Sequence, residues 1–276
     1  ATLCSPHTID VFDFGISHDG VFYYVMELLD GMNLEQLLAR SGPLPAARAA
    51  YLLAQVCRSL RDAHHAGMVH RDIKPANIFV CNQGGEWDYV KVLDFGLVKR
   101  IDTEDTQLTV AGAIAGTPAY MAPEAARGRE SGPPADIYAL GCVGYRMLAG
   151  RNVFESDSAI EVLLAQVQDD PAPLDDLVAP DLPVPFVELI MRCLAKDPDR
   201  RPASAEAVLE ALVQTGLPAC WTTAEAQAWW DRRDATGPTD EDATAAPGVA
   251  RAPAEAEADT FEAEADTLPV DGEPPP

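Results

Sequence analysis

Three short polar motifs in one order constrain this chain more than any other feature. His70-Arg71-Asp72-Ile73-Lys74-Pro75-Ala76-Asn77 fits the pattern H-R-D-x-x-x-x-N. Asp94-Phe95-Gly96 begins 17 residues after Asn77, and Glu124 closes Ala122-Pro123-Glu124 30 residues after Asp94. A three-residue match arises easily by chance. In this order and spacing the motifs describe separate parts of one site, and the fold must bring them together. The plain alternative, turn-forming polar residues in unrelated loops, does not explain the joint pattern.

The periodicity around the motifs predicts a mixed chain. Residues 8–30 read as two strands of a hairpin, with a turn signal at His18-Asp19-Gly20 before the β-branched and aromatic run from Gly20 to Met26. After Gly31 the period becomes helical, with Asn33 capping a short helix through Leu38. A long amphipathic helix spans Pro45 to His65, with Ala49, Leu52, Leu53, Val56, Leu60 and Ala63 on one face and Gly67 as its stop. His64 and His65, at its end, read as cap or surface groups. Strands are predicted at 78–81 and 89–93, joined through Gly84-Gly85. Residues 96–120 have no period, and a loop that long in a compact domain is usually functional. Helices are predicted at 135–149, 158–168, 185–195, 203–213 and about 223–233. The first is apolar nearly all round and belongs in the core. The last can dock through Trp229-Trp230. From about Ala235 the chain is rich in Ala, Pro, Asp, Glu and Thr and reads as disordered.

Composition excludes several functions. The formal net charge is −24. From Trp221 onward the chain carries 3 basic and 14 acidic residues. Such a chain repels phosphate backbones and anionic membranes, so nucleic acid is not an expected partner. The six cysteines form no C-x-x-C pair, which argues against a zinc site or disulfide framework and for a reducing, cytoplasmic compartment. No apolar run reaches the roughly 18 residues of a membrane-spanning helix, and no signal peptide is visible.

The motifs at 70–77, 94–96 and 122–124 resemble those of the eukaryotic-like (Hanks-type) serine/threonine protein kinases, most closely the bacterial type, over roughly residues 1–213. The resemblance implies an α+β protein-kinase-like fold, with a mostly helical C-lobe and a remnant of the β-rich N-lobe. It gives a partial N-lobe and hinge at 1–30 and a C-lobe at 31–220, and the short helix and acidic tail at 221–276, read from pattern and composition, have no counterpart in it. It implies ATP and Mg2+ as cofactors and protein substrates with serine or threonine acceptors. Phosphoryl transfer needs positioning and charge neutralisation more than covalent chemistry. Asp72 is then the base that orients the attacking hydroxyl. Lys74 contacts the γ-phosphate, and Asn77 and Asp94 supply hard oxygens to magnesium. Met26 is the gatekeeper, backbone groups of Glu27 and Leu29 bond the adenine edge, and Phe79 packs under the ring. A plain buried strand explains residues 26–29 by type alone, and their position before the loop tips the reading to nucleotide. Thr117 is expected to bond Asp72 and Lys74. Glu124 with Arg201 fits a buried ion pair, and Asp136 fits the residue that holds the catalytic-loop backbone. Asp13-Phe14-Gly15 repeats the D-F-G letters but precedes the loop, so it reads as a strand end with no metal role.

Arg71, beside the base, suggests regulation by phosphorylation, since an arginine there is stabilised when a phosphate arrives. Thr103, Thr106, Thr109 and Thr117 are available, and Thr109 best matches the autophosphorylated position. No G-x-G-x-x-G occurs, and no lysine precedes Lys74. Glu27 and Glu35 are the only glutamates before the loop. The parts that clamp ATP from the N-lobe are therefore missing from these residues. An N-terminally cut kinase is the expectation. The alternatives are a pseudokinase or scaffold, and a nucleotide-binding module without transfer.

Overall fold

The computed structural model describes residues 3–18, 20–95, 117–177 and 182–236. Gly96, Thr103, Thr106, Thr109 and the tail from residue 237 lie outside that set. Two helices form the centre. α2 (Ala46–His65) buries all six residues of its predicted stripe, and α4 (Pro133–Ala149) is buried on nearly every side. Each fully buried Leu contributes on the order of 1.5–3 kcal/mol. α4 therefore sits where the apolar content of its sequence places it.

The ends of the smaller helices follow their capping residues. The Asn33 side chain accepts from the Gln36 N–H, and the Gln36 side chain accepts from the Asn33 N–H, a complete capping box for α1 (Leu34–Ser41). A short α3 (Pro123–Ala126) precedes α4. Ser158 caps α5 (Ala159–Gln168), and Ser204 caps α7 (Ala205–Gln214). Pro185 stands in the first turn of α6 (Val184–Cys193), where its missing N–H costs nothing. α8 (Thr223–Thr236) runs slightly beyond its predicted end.

Strands β1 (Val11–Ile16) and β2 (Phe22–Met26) pair antiparallel as predicted, in a two-stranded sheet of their own. Asp13, Phe14 and Gly15 lie on β1. A second sheet has the order β3-β4-β5, from Gly31–Asn33, Ile78–Gln83 and Glu86–Val92. Periodicity misses β3, because three residues are too few to show a period of two. Gly31 permits its close approach: a Cβ there would lie 2.2 Å from the Val80 carbonyl oxygen. The β4–β5 hairpin begins directly after Asn77 and ends two residues before Asp94. It is therefore the frame for both.

Candidate functional site

One carboxylate organises the loop from His70 to Asn77. Asp136, in the first turn of α4, is buried and accepts hydrogen bonds from the backbone N–H groups of His70 and Arg71, both at 2.8 Å. A third bond, at 2.9 Å, links it to His64 Nε2. This corrects the reading of His64 as a cap or surface group. The last turn of α2 points it inward onto Asp136, while His65 stays exposed. The bonds hold Arg71 at φ +66, a left-handed conformation that a side chain adopts only under constraint.

His70 ties the loop to the strand that leads to Asp94. Its Nδ1 accepts from the Asp72 N–H at 3.3 Å, so its Nε2 carries the proton and donates to the Leu93 carbonyl at 2.8 Å. Burial lowers the His70 pKa and keeps the ring neutral; Asp136 and the Leu93 carbonyl oppose that shift without reversing it. The ring also packs on Phe95, with centroids 4.6 Å apart. Leu93 N–H returns a bond to the Asn77 carbonyl at 2.9 Å. Asn77 and Asp94 are thus held on adjacent strands of chain.

Asp72 lies between Lys74 and Asn77. Lys74 Nζ donates to Asp72 Oδ2 at 2.8 Å, and Asn77 Nδ2 donates to the same oxygen at 3.0 Å and to the Asp72 carbonyl at 2.9 Å. Among the described residues, Oδ1 has no donor. Asn77 spends its amide nitrogen on Asp72, which leaves its amide oxygen for a cation. Asp94, at φ +59, receives the Tyr24 hydroxyl on Oδ1 at 3.5 Å. Burial and the Asp94 charge raise the Tyr24 pKa, so the phenol stays protonated as a donor. A carboxylate and an amide oxygen at these two positions are hard donors of the kind magnesium takes.

The Thr117 expectation is not met. Its side chain is exposed and makes no hydrogen bond to Asp72 or Lys74. Arg71 is exposed and has no ion pair among the described residues. Thr109 lies outside them.

The segment expected to be the hinge runs from the end of β2 to β3. Met26, Glu27 and Leu29 are half-buried, and Leu28 is fully exposed. Glu27 N–H is committed to the Asp10 carbonyl at 3.1 Å, so its own carbonyl is the backbone group left for a ligand. Its carboxylate meets the buried Lys91 at 2.6 Å. Phe79 is half-buried on β4 between the buried Ile78 and Val80, so it faces the opposite side from the core. Tyr24, Lys91 and His64 were not legible as site residues. Each belongs to a predicted strand or helix, and no spacing marks its partner.

The Glu124–Arg201 pair forms as expected. Arg201 Nη1 and Nη2 each donate to Glu124 at 2.8 Å. Its remaining donor capacity goes to the carbonyls of Ala195, Pro134 and Lys196. Burial opposes the Glu124 charge, but the Arg201 hydrogen bonds and charge outweigh it and hold the pKa below the usual carboxylate range.

Comparison with known proteins shows the family and the fold. The family described as "Protein kinase domain" matches residues 1–213. The chain is 44% identical over 206 residues to the serine/threonine-protein kinase pkn3 of Myxococcus xanthus, covering 73% of this chain and 38% of that protein. It is 40% identical over 205 residues to the serine/threonine-protein kinase PknA of Mycobacterium tuberculosis, covering 73% of this chain and 45% of that protein. It thus spans less than half the length of either relative. The crystal structure of the Mycobacterium tuberculosis PknI kinase domain superimposes with a TM-score of 0.59 at 27% identity, covering 77% of this chain and 73% of that one.

Proposed function

We propose, for a chain that belongs to the protein kinase domain family and has the family's α+β fold, that it carries the catalytic lobe of an enzyme transferring the ATP γ-phosphoryl group to serine or threonine of proteins. The observation that carries this reading is the half-open carboxylate of Asp72. One oxygen is saturated by Lys74 and Asn77, and the other is free for a substrate hydroxyl. Asp72 would orient that hydroxyl and accept its proton at Oδ1, while Lys74 offsets charge beside it. Magnesium would add positive charge at the phosphates, with Asn77 Oδ1 and Asp94 as its protein ligands. Met26, Phe79, the Glu27 carbonyl and the Leu29 backbone would enclose adenine.

Arg71 would receive a phosphate on Thr109 or a neighbour. Six free thiols, four of them buried, fit a reducing cytoplasm. Among the described residues, no helix is long and apolar enough to cross a membrane.

A transfer assay on the complete protein with Mg-ATP and a protein substrate tests this. Asp72→Asn should lower the rate by about 10²–10⁴-fold, the usual contribution of a positioned base, and leave ATP binding in place. Wild-type levels of transfer by Asp72→Asn would sink the assignment. ATP binding by the complete wild-type protein without detectable transfer would favour partner binding without catalysis instead.

A further inference from the structure

The family match ends at residue 213, but the fold continues. A 3-10 turn at Leu217–Cys220 packs on α2, and α8 packs on β5. A capping box starts α8: Glu225 N–H donates to Thr222 Oγ1 at 3.2 Å, and Thr222 N–H donates to Glu225 Oε2 at 2.8 Å.

The contact with β5 centres on Asp88, which is fully buried. A bulge in the β4–β5 ladder sets Trp87 and Asp88 opposite Asn82, with Asp88 at φ +56. Bulges re-aim side chains, and this one turns Asp88 into the molecule. Its carboxylate accepts four N–H donors, all at 2.8 Å. Arg48 Nε and Trp221 Nε1 bond Oδ2, and Arg48 Nη2 and Trp230 Nε1 bond Oδ1. The Arg48 guanidinium lies 4.1 Å from the Trp229 ring centroid and 5.3 Å from that of Trp221. Trp230 stacks on Trp87 at 5.6 Å. Gln55 of α2 bonds the strand backbone on either side, at the Asp88 carbonyl and the Val90 N–H.

A buried ion pair holds its place only when its remaining hydrogen-bonding capacity is satisfied. Here the segment after residue 220 supplies half of the carboxylate's donors and the aromatic cover of the guanidinium. The grip falls on the hairpin that leaves Asn77 at one end and leads to Asp94 at the other. We infer that Trp221, Trp229 and Trp230 form a clamp that fixes the β4–β5 hairpin and so sets the placement of Asn77 and Asp94. Trp230 is a positioning residue, and residues 221–236 belong to the catalytic unit. The activity arm of this inference rests on the kinase reading; the structural arm does not.

The test uses the complete protein. Trp230→Phe keeps an aromatic ring against Trp87 but removes the donor to Asp88, and Trp230→Ala removes both. Amide hydrogen exchange is read across β4 and β5, with α6 as the internal reference. Kinetics are read as kcat against KM for the protein substrate, together with the magnesium concentration giving half-maximal rate. For Trp230→Phe, hairpin exchange should quicken by about tenfold while α6 is unchanged, as expected of local opening. The kcat should fall by about tenfold with KM within about twofold, and more magnesium should be needed, since small misplacements of positioned groups are costly. Unchanged hairpin exchange with unchanged kcat in Trp230→Phe overturns the inference, as does faster exchange spread equally over α6. If Trp230→Ala fails to fold, Trp230→Phe decides alone. If the wild type transfers no phosphate, the kinase reading fails, and the exchange measurement still decides the clamp.

Discussion

Arg201 and Glu124 form a bidentate buried pair, and Arg201 also donates to the carbonyls of Ala195, Pro134 and Lys196. Glu124→Ala would leave the guanidinium buried without its counter-charge, at a cost of about 3–5 kcal/mol. Chemical denaturation at neutral pH should show that loss as a lower midpoint. The same pair gives an acid dependence. The folded pKa of Glu124 is depressed, so its stabilisation is present above the unfolded value and is lost as pH falls through the folded one. His7 acts earlier in the same direction. Burial lowers its pKa from 6.5 to about 4, with Arg58 and Lys91 adding to the shift and the Val90 carbonyl opposing it. The unfolded chain therefore binds a proton that the folded chain refuses between those values, and stability falls as pH drops through that window. His7→Gln should flatten this limb, by about 1 kcal/mol between pH 7 and 5 after allowance for solvent screening. Equal slopes for the two proteins in denaturant titrations across that range would refute the assignment to His7.

Elements show which parts of the sequence are self-explanatory. α2 and α4 were legible because each buries a stripe or a whole surface, and a run of residues declares that repeatedly. Asn33 marked a helix start because a side-chain acceptor is needed wherever N–H groups are orphaned, and Ser158 and Ser204 fill the same role at α5 and α7. β3 was not legible, being too short, and neither was the partner of Trp230, because Asp88 is one of 44 acidic residues until the bulge turns it inward. The loop motif gave Asp72 and Asn77 their places. It could not give His64 its bond to Asp136, which depends on how α2 and α4 cross.

A tight approach of α4 to α6 illustrates the same limit. A Cβ on Gly141 would stand 2.8 Å from Cys193 Cβ and 3.3 Å from the Cys193 backbone carbon. Helix propensity alone favours alanine over glycine by about 1 kcal/mol. Overpacking against backbone should reverse the sign, and Gly141→Ala should destabilise by about 1–3 kcal/mol. A raised thermal midpoint for Gly141→Ala would show that the two helices can part without loss.

At the scale of the whole molecule, hydrophobic surface is unevenly distributed. The chain buries the apolar faces of α2, α4 and α6, yet the β1–β2 hairpin exposes Phe12, Phe14, Ile16, Val21 and Val25, with Leu28 just beyond. Both of its strands pair only with each other among the described residues, so the ribbon also presents open edges. Edges and apolar patches of this kind are templates for association unless charge interrupts them. The high negative charge works against it at long range, but salt screens that repulsion within about 8 Å at physiological ionic strength. The 276-residue chain should therefore self-associate reversibly, and more so as salt rises. Sedimentation at increasing concentration and ionic strength reads this directly. Replacing Phe12, Phe14 and Ile16 together by threonine keeps strand-compatible residues and removes the patch, and should return the chain to a monomer. Association that weakens with salt, or that survives the triple replacement, would locate the contact in charged surface rather than in this hairpin.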